Sequence, residues 1–282
     1  MGPASANAGR SDHFRATLRR PGVVTALVLL PSLALVLGAA YGGPAAALAA
    51  PLVAIVVILA AAWHTADRIA EAAFWKATAA SLGYAPFTEL GELQTITPLL
   101  HAGDRRVFTH GLTGPLGELG LSAKLAHYRY DVRHEDRDGK DTWRHYRFTV
   151  CAVELEHGMG MFPGVYLRAR RGLLAMAGND WLKGRRLREV ELESVAFNDT
   201  YELLVTQEQE DGPLRELFDP KTIVWLAEHP LRPHFEFRAG FLCVYVPGFV
   251  EDLGRLVWLL EAAERIASRV RAEITEATAA RL

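Results

Sequence analysis

Charged residues are absent from a long stretch near the start of the sequence. Residues 21–66 contain no Asp, Glu, Lys or Arg, in a chain of 282 residues whose formal net charge is −2. The tail before this stretch carries a net charge of +3, and the part after it carries −5. The composition, 50% hydrophobic overall, excludes an all-soluble protein, a disordered chain and a many-pass transporter. It predicts a short membrane anchor with one globular domain.

Cysteine is also scarce, since Cys151 and Cys243 are the only two. This count excludes a disulfide-rich scaffold and any C-x-x-C metal or redox motif. Both cysteines lie inside apolar runs, whereas a catalytic thiol needs an electropositive neighbourhood. We therefore expect two small buried hydrophobic residues in a reducing compartment.

The charge-free stretch is too long for one membrane crossing, which needs roughly 20 apolar residues, and about right for two. Tyr41-Gly42-Gly43-Pro44 supplies a turn between the spans. The sequence thus predicts a transmembrane hairpin over residues 21–64, with spans at about 22–41 and 44–63. Tyr41 and Trp63 stand at the span ends, where aromatic residues anchor helices at the membrane interface.

Positive charge sets the predicted orientation. The basic tail of residues 1–20 precedes the hairpin, the connecting turn is uncharged, and Arg68 and Lys76 follow the second span. Both ends should therefore face the cytoplasm, with the protein in the inner (plasma) membrane. A competing interpretation makes the first span a cleaved signal peptide ending near Gly38-Ala39-Ala40. Even then the second span would leave the large domain cytoplasmic.

After the hairpin the sequence predicts a helical stalk over residues 65–83 and a cytoplasmic α+β domain over residues 84–282. Two long strand-like runs, 121–134 and 143–157, flank Asp138-Gly139, which is typical of an antiparallel hairpin. Centred there, the hairpin would place Val132 opposite His145. Residues 111–120 are expected to form a glycine-rich loop, and residues 187–205 one long bent strand.

Further elements complete a mainly antiparallel sheet. We expect strands at 106–112 and 165–169, a hairpin formed by 235–238 and 241–246, and a helix that begins at Asp219-Pro220. The chain closes with an amphipathic helix, since Leu253, Leu256, Leu260, Ala263 and Ala267 fall on one face.

The strongest charge feature is a basic stretch between residues 168 and 188. It carries Arg168, Arg170, Arg171, Lys183, Arg185, Arg186 and Arg188 against a single acid, Asp180. Beside an inner leaflet such a patch would hold anionic lipid headgroups, and it would equally suit an acidic protein partner. The opposing interpretation is a solvated turn balanced by Glu189, Glu191 and Glu193. Nucleic acid is not expected, because the domain is net acidic and has no nucleic-acid-binding motif.

No metal site or cofactor is predicted. His229 and His234 are separated by two prolines, so they do not share a helix face as in H-E-x-x-H. The run Asp136-Arg-Asp138-Gly-Lys-Asp141 has its glycine in the wrong place for a calcium-binding EF-hand. The sequence also has no G-x-S-x-G elbow or kinase motif set, so no catalytic residue is assigned.

The segment Val190-Glu-Leu-Glu-Ser-Val-Ala-Phe197-Asn198, followed by Phe218-Asp219-Pro220, resembles a group of uncharacterised bacterial membrane proteins, a domain-of-unknown-function family. In that group a two-span hairpin precedes a cytoplasmic α+β domain with an "LES-x-x-FN" strand. The resemblance covers about the last hundred residues and the anchor layout, and it implies no reaction, substrate or catalytic residue.

These observations favour a membrane-anchored, non-enzymatic cytoplasmic domain that binds a partner protein or the membrane surface. The alternative is a membrane-tethered hydrolase or small-ligand receptor, with a pocket near Tyr128, Tyr130, His127 and His145. A third hypothesis is homo-oligomerisation through the C-terminal helix or through the ladder of Ala46, Ala50 and Ala54. That ladder also follows from an Ala-rich composition alone.

Overall fold

The computed structural model describes residues 14–88, 97–135, 139, 141–155, 161–170, 182 and 185–279. The chain divides into two compact units. One comprises residues 1–78 with 251–253, and the other comprises residues 79–250 with 254–282. The second unit holds the sheet, and the predicted functional residues beyond the anchor also lie in this unit.

The first unit is helical. Its elements are α1 (Pro21–Leu37), a π-helical segment (Gly38–Gly42) and α2 (Gly43–Leu82), which continues into the second unit. Pro21 occupies the first turn of α1, where a missing backbone N–H costs nothing. Judged by length and composition, the helical stretch Pro21–Leu82 is able to cross a membrane, and it is the one such stretch among the described residues.

The turn predicted at Tyr41–Pro44 differs in the structure. Tyr41 and Gly42 stay helical, and the helical conformation is interrupted at a single residue, Gly43, whose φ is +75°. Glycine adopts this left-handed conformation without the steric cost that a Cβ brings. The structure thus shows one helical stretch able to cross a membrane, and the two separate spans of a hairpin are not shown.

The second unit contains a nine-stranded antiparallel sheet in the order β1-β2-β3-β4-β9-β8-β5-β7-β6. The strands are β1 (Ala85–Pro86), β2 (Arg105–Leu116), β3 (Leu121–Glu135), β4 (Asp141–Glu154), β5 (Val165–Ala169), β6 (Leu187–Val190), β7 (Tyr201–Thr206), β8 (His234–Arg238) and β9 (Phe241–Pro247). The prediction of an α+β domain with a mainly antiparallel sheet is therefore confirmed.

The long β3–β4 hairpin is present, but its register differs by one residue from the expected one. Val132 pairs with Arg144, and His145 pairs with Asp131. A shift of one residue moves every cross-strand partnership, because side chains alternate between faces with a period of two. The shift brings a carboxylate, instead of Val132, opposite His145.

The expected glycine-rich loop over residues 111–120 is mostly strand, because β2 runs to Leu116. Its glycines provide room for aromatic rings of the preceding segment. A Cβ on Gly111 would lie 2.7 Å from the ring of Phe87, and one on Gly114 would overlap the ring of Tyr84. The glycines therefore permit a close approach of rings to the strand, as expected for glycine inside a strand.

The single strand expected over residues 187–205 is wrong, since a helix divides it. Between β6 and β7 lies α3 (Val195–Thr200), with Ser194 as N-cap accepting a hydrogen bond from Phe197 N at 3.3 Å. The side chain of Asn198 donates to Leu192 O and accepts from Leu192 N, at 2.7 and 3.1 Å. The polar residues of the "LES-x-x-FN" motif thus close a turn and cap a helix.

Three further helices belong to this unit. They are α4 (Asp211–Leu217), which the sequence did not predict, α5 (Pro220–Glu228) and α6 (Leu253–Ala279). The predicted start of α5 is confirmed, because Asp219 Oδ1 accepts a hydrogen bond from Thr222 N at 2.7 Å. The ring of Phe218 stacks on Phe235 of β8, so the α4–α5 corner packs on one face of the sheet.

The opposite face of the sheet carries an aromatic and aliphatic core. Its fully buried members include Tyr128, Phe148, Cys243 and Tyr245. The segment around Leu99 covers this face, since Tyr128 donates its hydroxyl to Leu99 O at 3.0 Å. Leu99 N in turn donates to the buried carboxylate of Glu236 at 2.8 Å. Both faces of the central strands are thereby buried.

Candidate functional site: a basic hairpin surface and a histidine-lined cavity

Large hydrophobic side chains of the N-terminal helical stretch remain exposed. They include Val28, Leu29, Leu33, Val36, Leu48, Leu52, Val53, Val56 and Val57. A contiguous apolar surface of this length is unfavourable in water and favourable in a hydrocarbon phase. Of the two predicted interface anchors, Tyr41 is 88% exposed, and Trp63 is half exposed with its ring 5.1 Å from that of Phe14.

Three of the five described members of the basic stretch pair with carboxylates within the domain. Arg168 is buried and pairs with Glu202 at 2.6 Å. Arg170 pairs with Glu189 and Arg188 pairs with Asp211. A guanidinium that already has a carboxylate partner offers little net charge to an external anion.

The two other described members of the basic stretch, Arg185 and Arg186, have no carboxylate partner among the described residues. Arg186 is exposed and Arg185 is half-buried. Arg171 and Lys183 lie outside the described residues. An anion-binding role for the stretch therefore depends on few of its residues and stays a prediction.

Three of the four residues suggested for a ligand pocket lie in the packed interior of the sheet domain. Tyr128, Tyr130 and His127 are fully buried. Burial raises the pKa of the Tyr128 phenol well above its usual value, so the hydroxyl stays protonated and serves as a donor to Leu99 O. His127 stacks on Phe249 at 4.2 Å and lies 3.1 Å from Val250 O through Nε2. The ring of Tyr130 stacks on that of Phe148 at 5.8 Å, so all three side chains have packing contacts.

His145, the fourth of those residues, is exposed on the β3–β4 hairpin. Its Nδ1 lies 2.7 Å from Oδ1 of Asp131, whose side chain is only 6% exposed. The same oxygen lies 3.2 Å from Nε of Arg129. Asp131 thus orients one exposed imidazole and one guanidinium, and leaves Nε2 of His145 outside that hydrogen bond.

Two more arginines share this face, as the strand register shows. Arg147 lies directly opposite Arg129, and Arg105 lies directly opposite Asp131. The guanidinium of Arg147 is 5.5 Å from the ring of Phe249, and that of Arg105 is 4.1 Å from the ring of Trp143. We call Arg105, Arg129, Asp131, His145 and Arg147 the hairpin surface.

The neighbouring carboxylates are already engaged. Asp141 pairs with Arg133 towards the tip of the hairpin, and the hydrogen bond from Arg133 lowers the pKa of Asp141. Asp104 accepts a hydrogen bond from Arg133 N at 2.8 Å. The hairpin surface is therefore left with three guanidinium groups against one carboxylate.

A cavity of about 410 Å³ lies at one end of strands β5, β7, β8 and β9. Tyr201, Arg232, His234 and Pro247 are among the residues that line it. His234 is almost fully buried, and its Nδ1 has no hydrogen-bond partner. Burial lowers the pKa of His234 to about 3, so its ring is neutral at physiological pH.

Arg232, at the same cavity, has a φ of +45°. A residue with a Cβ adopts this conformation at a cost of roughly 1–2 kcal/mol. No local pattern in the sequence predicted this cavity, because its lining comes from four separate segments of the chain.

The two cysteines are free and fully buried, as predicted. Burial raises the pKa of Cys151 to about 12 and that of Cys243 well above its ordinary value. Neither thiol is therefore ionised near neutral pH, which removes both from the candidates for nucleophilic chemistry.

No protein-family model and no curated protein matches the chain. Among solved structures, a crystal structure of the mycobacterial trehalose monomycolate transport factor A, TtfA, matches with a TM-score of 0.47 and 13% sequence identity. The match covers 72% of this chain and 94% of that chain. A similarity at this level does not establish a shared fold.

Proposed function

We propose that the protein is a non-enzymatic binding protein anchored in the inner membrane. The observation that carries the proposal is the exposed, charge-free helical stretch at the N-terminus. A stretch of this kind is stable only where its apolar side chains leave water. The sheet domain then acts close to the bilayer, on a partner protein or on the membrane surface.

We further propose that the stretch crosses the membrane twice. The interruption at Gly43, with φ +75°, supports this topology because it changes the direction of the backbone between α1 and α2. Gly38 also comes close to the second helix, since a Cβ there would lie 2.7 Å from the carbonyl oxygen of Ala46. Small residues allow two helices to approach this closely.

The proposed orientation places both termini in the cytoplasm. It rests on the four arginines of the tail and on Arg68 and Lys76 after the stretch, with no charge in the connecting turn. The connection at Tyr41 would then face the other side of the membrane. A single crossing would instead put the tail and the sheet domain on opposite sides.

Cysteine labelling tests the topology, because the native thiols are buried. Arg19→Cys, Tyr41→Cys and Ser268→Cys would each be treated with a membrane-impermeant maleimide, in intact cells and in inverted membrane vesicles. We expect Tyr41→Cys to react only in cells, and the other two only in inverted vesicles. The unmodified chain serves as the background control. Reaction of Arg19→Cys and Ser268→Cys from opposite sides would refute the double crossing.

A small-ligand receptor is the second candidate function, and the cavity at His234 favours it. A buried ring nitrogen without a partner costs free energy that a hydrogen-bonding ligand would recover. Native mass spectrometry of the full chain, extracted from its own membranes, tests this function. A bound small molecule that is lost in His234→Phe would support the receptor, and an unliganded wild-type chain would count against it.

Self-association remains a separate proposal. Ala46 and Ala50 of α2 are half-buried small residues of the kind that permits close helix packing between two copies. Cross-linking in native membranes, with Ala50→Leu as the disrupting variant, would test it. Monomers at every cross-linker concentration would remove this proposal.

A further inference from the structure

The hairpin surface combines features that are unfavourable without an anion. Arg129 and Arg147 are directly opposite on one face of an antiparallel pair, where like charges destabilise the sheet. Asp131 is the one carboxylate of the hairpin surface that offsets this positive charge, and it also pairs with His145. Two of the three guanidinium groups, those of Arg105 and Arg147, contact aromatic rings and have no carboxylate partner within the described part of the chain.

The surface is also accessible and held in place. Arg105 and Arg147 are exposed, and the side chain of His145 is 52% exposed. The rings of Trp143 and Phe249 fix two of the guanidinium groups at 4.1 and 5.5 Å. Fixing these flexible side chains in advance reduces the entropy that a ligand must otherwise overcome.

We infer that the hairpin surface binds phosphate groups. A guanidinium is planar and offers paired N–H donors that match two phosphate oxygens, and His145 Nε2 adds a further polar contact. The phosphate is carried either by the headgroup of an anionic lipid or by a soluble phosphate compound. The inference gives a ligand class to the proposed binding protein and rests on that proposed function.

The test uses the full chain in phosphatidylcholine nanodiscs. Its binding to vesicles of phosphatidylglycerol with phosphatidylcholine is compared with that of Arg105→Gln/Arg147→Gln. Each basic residue near an anionic surface contributes about fivefold in affinity, so we expect about 30-fold weaker binding by the double variant. Neither arginine forms an ion pair within the described residues, so the fold should persist, which circular dichroism would verify.

Arg215→Gln/Lys221→Gln is the matched control, since it removes the same charge from exposed positions on α4 and α5, outside both the hairpin surface and the basic stretch. This variant should bind as the wild type does. An equal loss in both variants would show a response to net charge alone and overturn the assignment to the hairpin. Unchanged binding by Arg105→Gln/Arg147→Gln would overturn it as well.

A second arm separates the two sources of phosphate. Inorganic pyrophosphate is titrated calorimetrically into the same nanodiscs. Vesicle binding without pyrophosphate binding supports a lipid headgroup, and pyrophosphate binding alone supports a soluble compound. Absence of both overturns the inference. The cysteine labelling above tests the anchor separately, so a failure here is distinguishable from a failure of the proposed function.

Discussion

The burial of His234 predicts a specific loss of stability in acid. The ring is almost fully buried, and the structure lowers the pKa of His234 to about 3, against about 6.5 in an unfolded chain. Below about pH 6.5 the unfolded chain therefore binds a proton that the native protein does not bind. The stability that depends on neutral His234 is complete above that pH and falls as the pH decreases toward 3.

The magnitude follows from the two pKa values. Between pH 7 and pH 5 a single group of this kind should lower the free energy of unfolding by about 2 kcal/mol. His229 acts in the same direction, because burial and the nearby Arg265 lower its pKa as well. A loss of this size is a large part of the stability of an ordinary domain.

The assay is urea unfolding of the full chain in a non-ionic detergent, followed by tryptophan fluorescence at both pH values. His234→Gln removes the titrating group and should reduce the acid-induced loss by about 2 kcal/mol. His134→Gln is the control, because His134 is exposed on the hairpin and should leave the loss unchanged. An equal loss in wild type and His234→Gln would refute the reasoning.

Two further predictions concern the helices of the sheet domain. Asp219→Ala removes the N-cap acceptor of α5 and should lower the free energy of unfolding by about 1 kcal/mol. Asp219→Asn keeps a side-chain oxygen at this position and should lower the free energy of unfolding clearly less. Equal losses would contradict the capping role. Leu259→Ala should lower the free energy of unfolding by about 3 kcal/mol, because Leu259 is fully buried on α6. Val195→Ala, at a 75% exposed position, is the control and should change it by less than about 0.5 kcal/mol. Urea midpoints of the two variants would check this, and similar midpoints would be inconsistent with the packing of α6.

The pH behaviour of Asp219 supports the same cap. Burial acts to raise the pKa of this carboxyl, but the hydrogen bond from Thr222 and the nearby Arg269 outweigh burial and lower it. Because the ionised form is favoured in the folded state, its contribution is present above the ordinary pKa of an aspartate. It is lost as the pH falls through the lowered value.

Local signals in the sequence predicted the elements that depend on local interactions. Asp219-Pro220 marked the start of α5, because an N-cap and a proline act within one helical turn. Asp138-Gly139 between two long strand-like runs indicated the β3–β4 hairpin, and β5 occupies the predicted residues 165–169. The division of residues 187–205 by α3 was missed, because Ser194 and Asn198 cap a turn within a run of residues that also suits a strand.

The sequence alone determined the charge-free stretch, the sheet class and the buried state of the two cysteines, because these follow from composition and periodicity. Only the tertiary structure decided which cations are available. Arg168, Arg170 and Arg188 lose their free charge to carboxylates that lie 19 to 34 residues away along the chain. A one-residue register shift set Asp131 opposite His145 and Arg147 opposite Arg129. Such pairings depend on strand register and chain topology, and therefore arise only when the sheet is assembled.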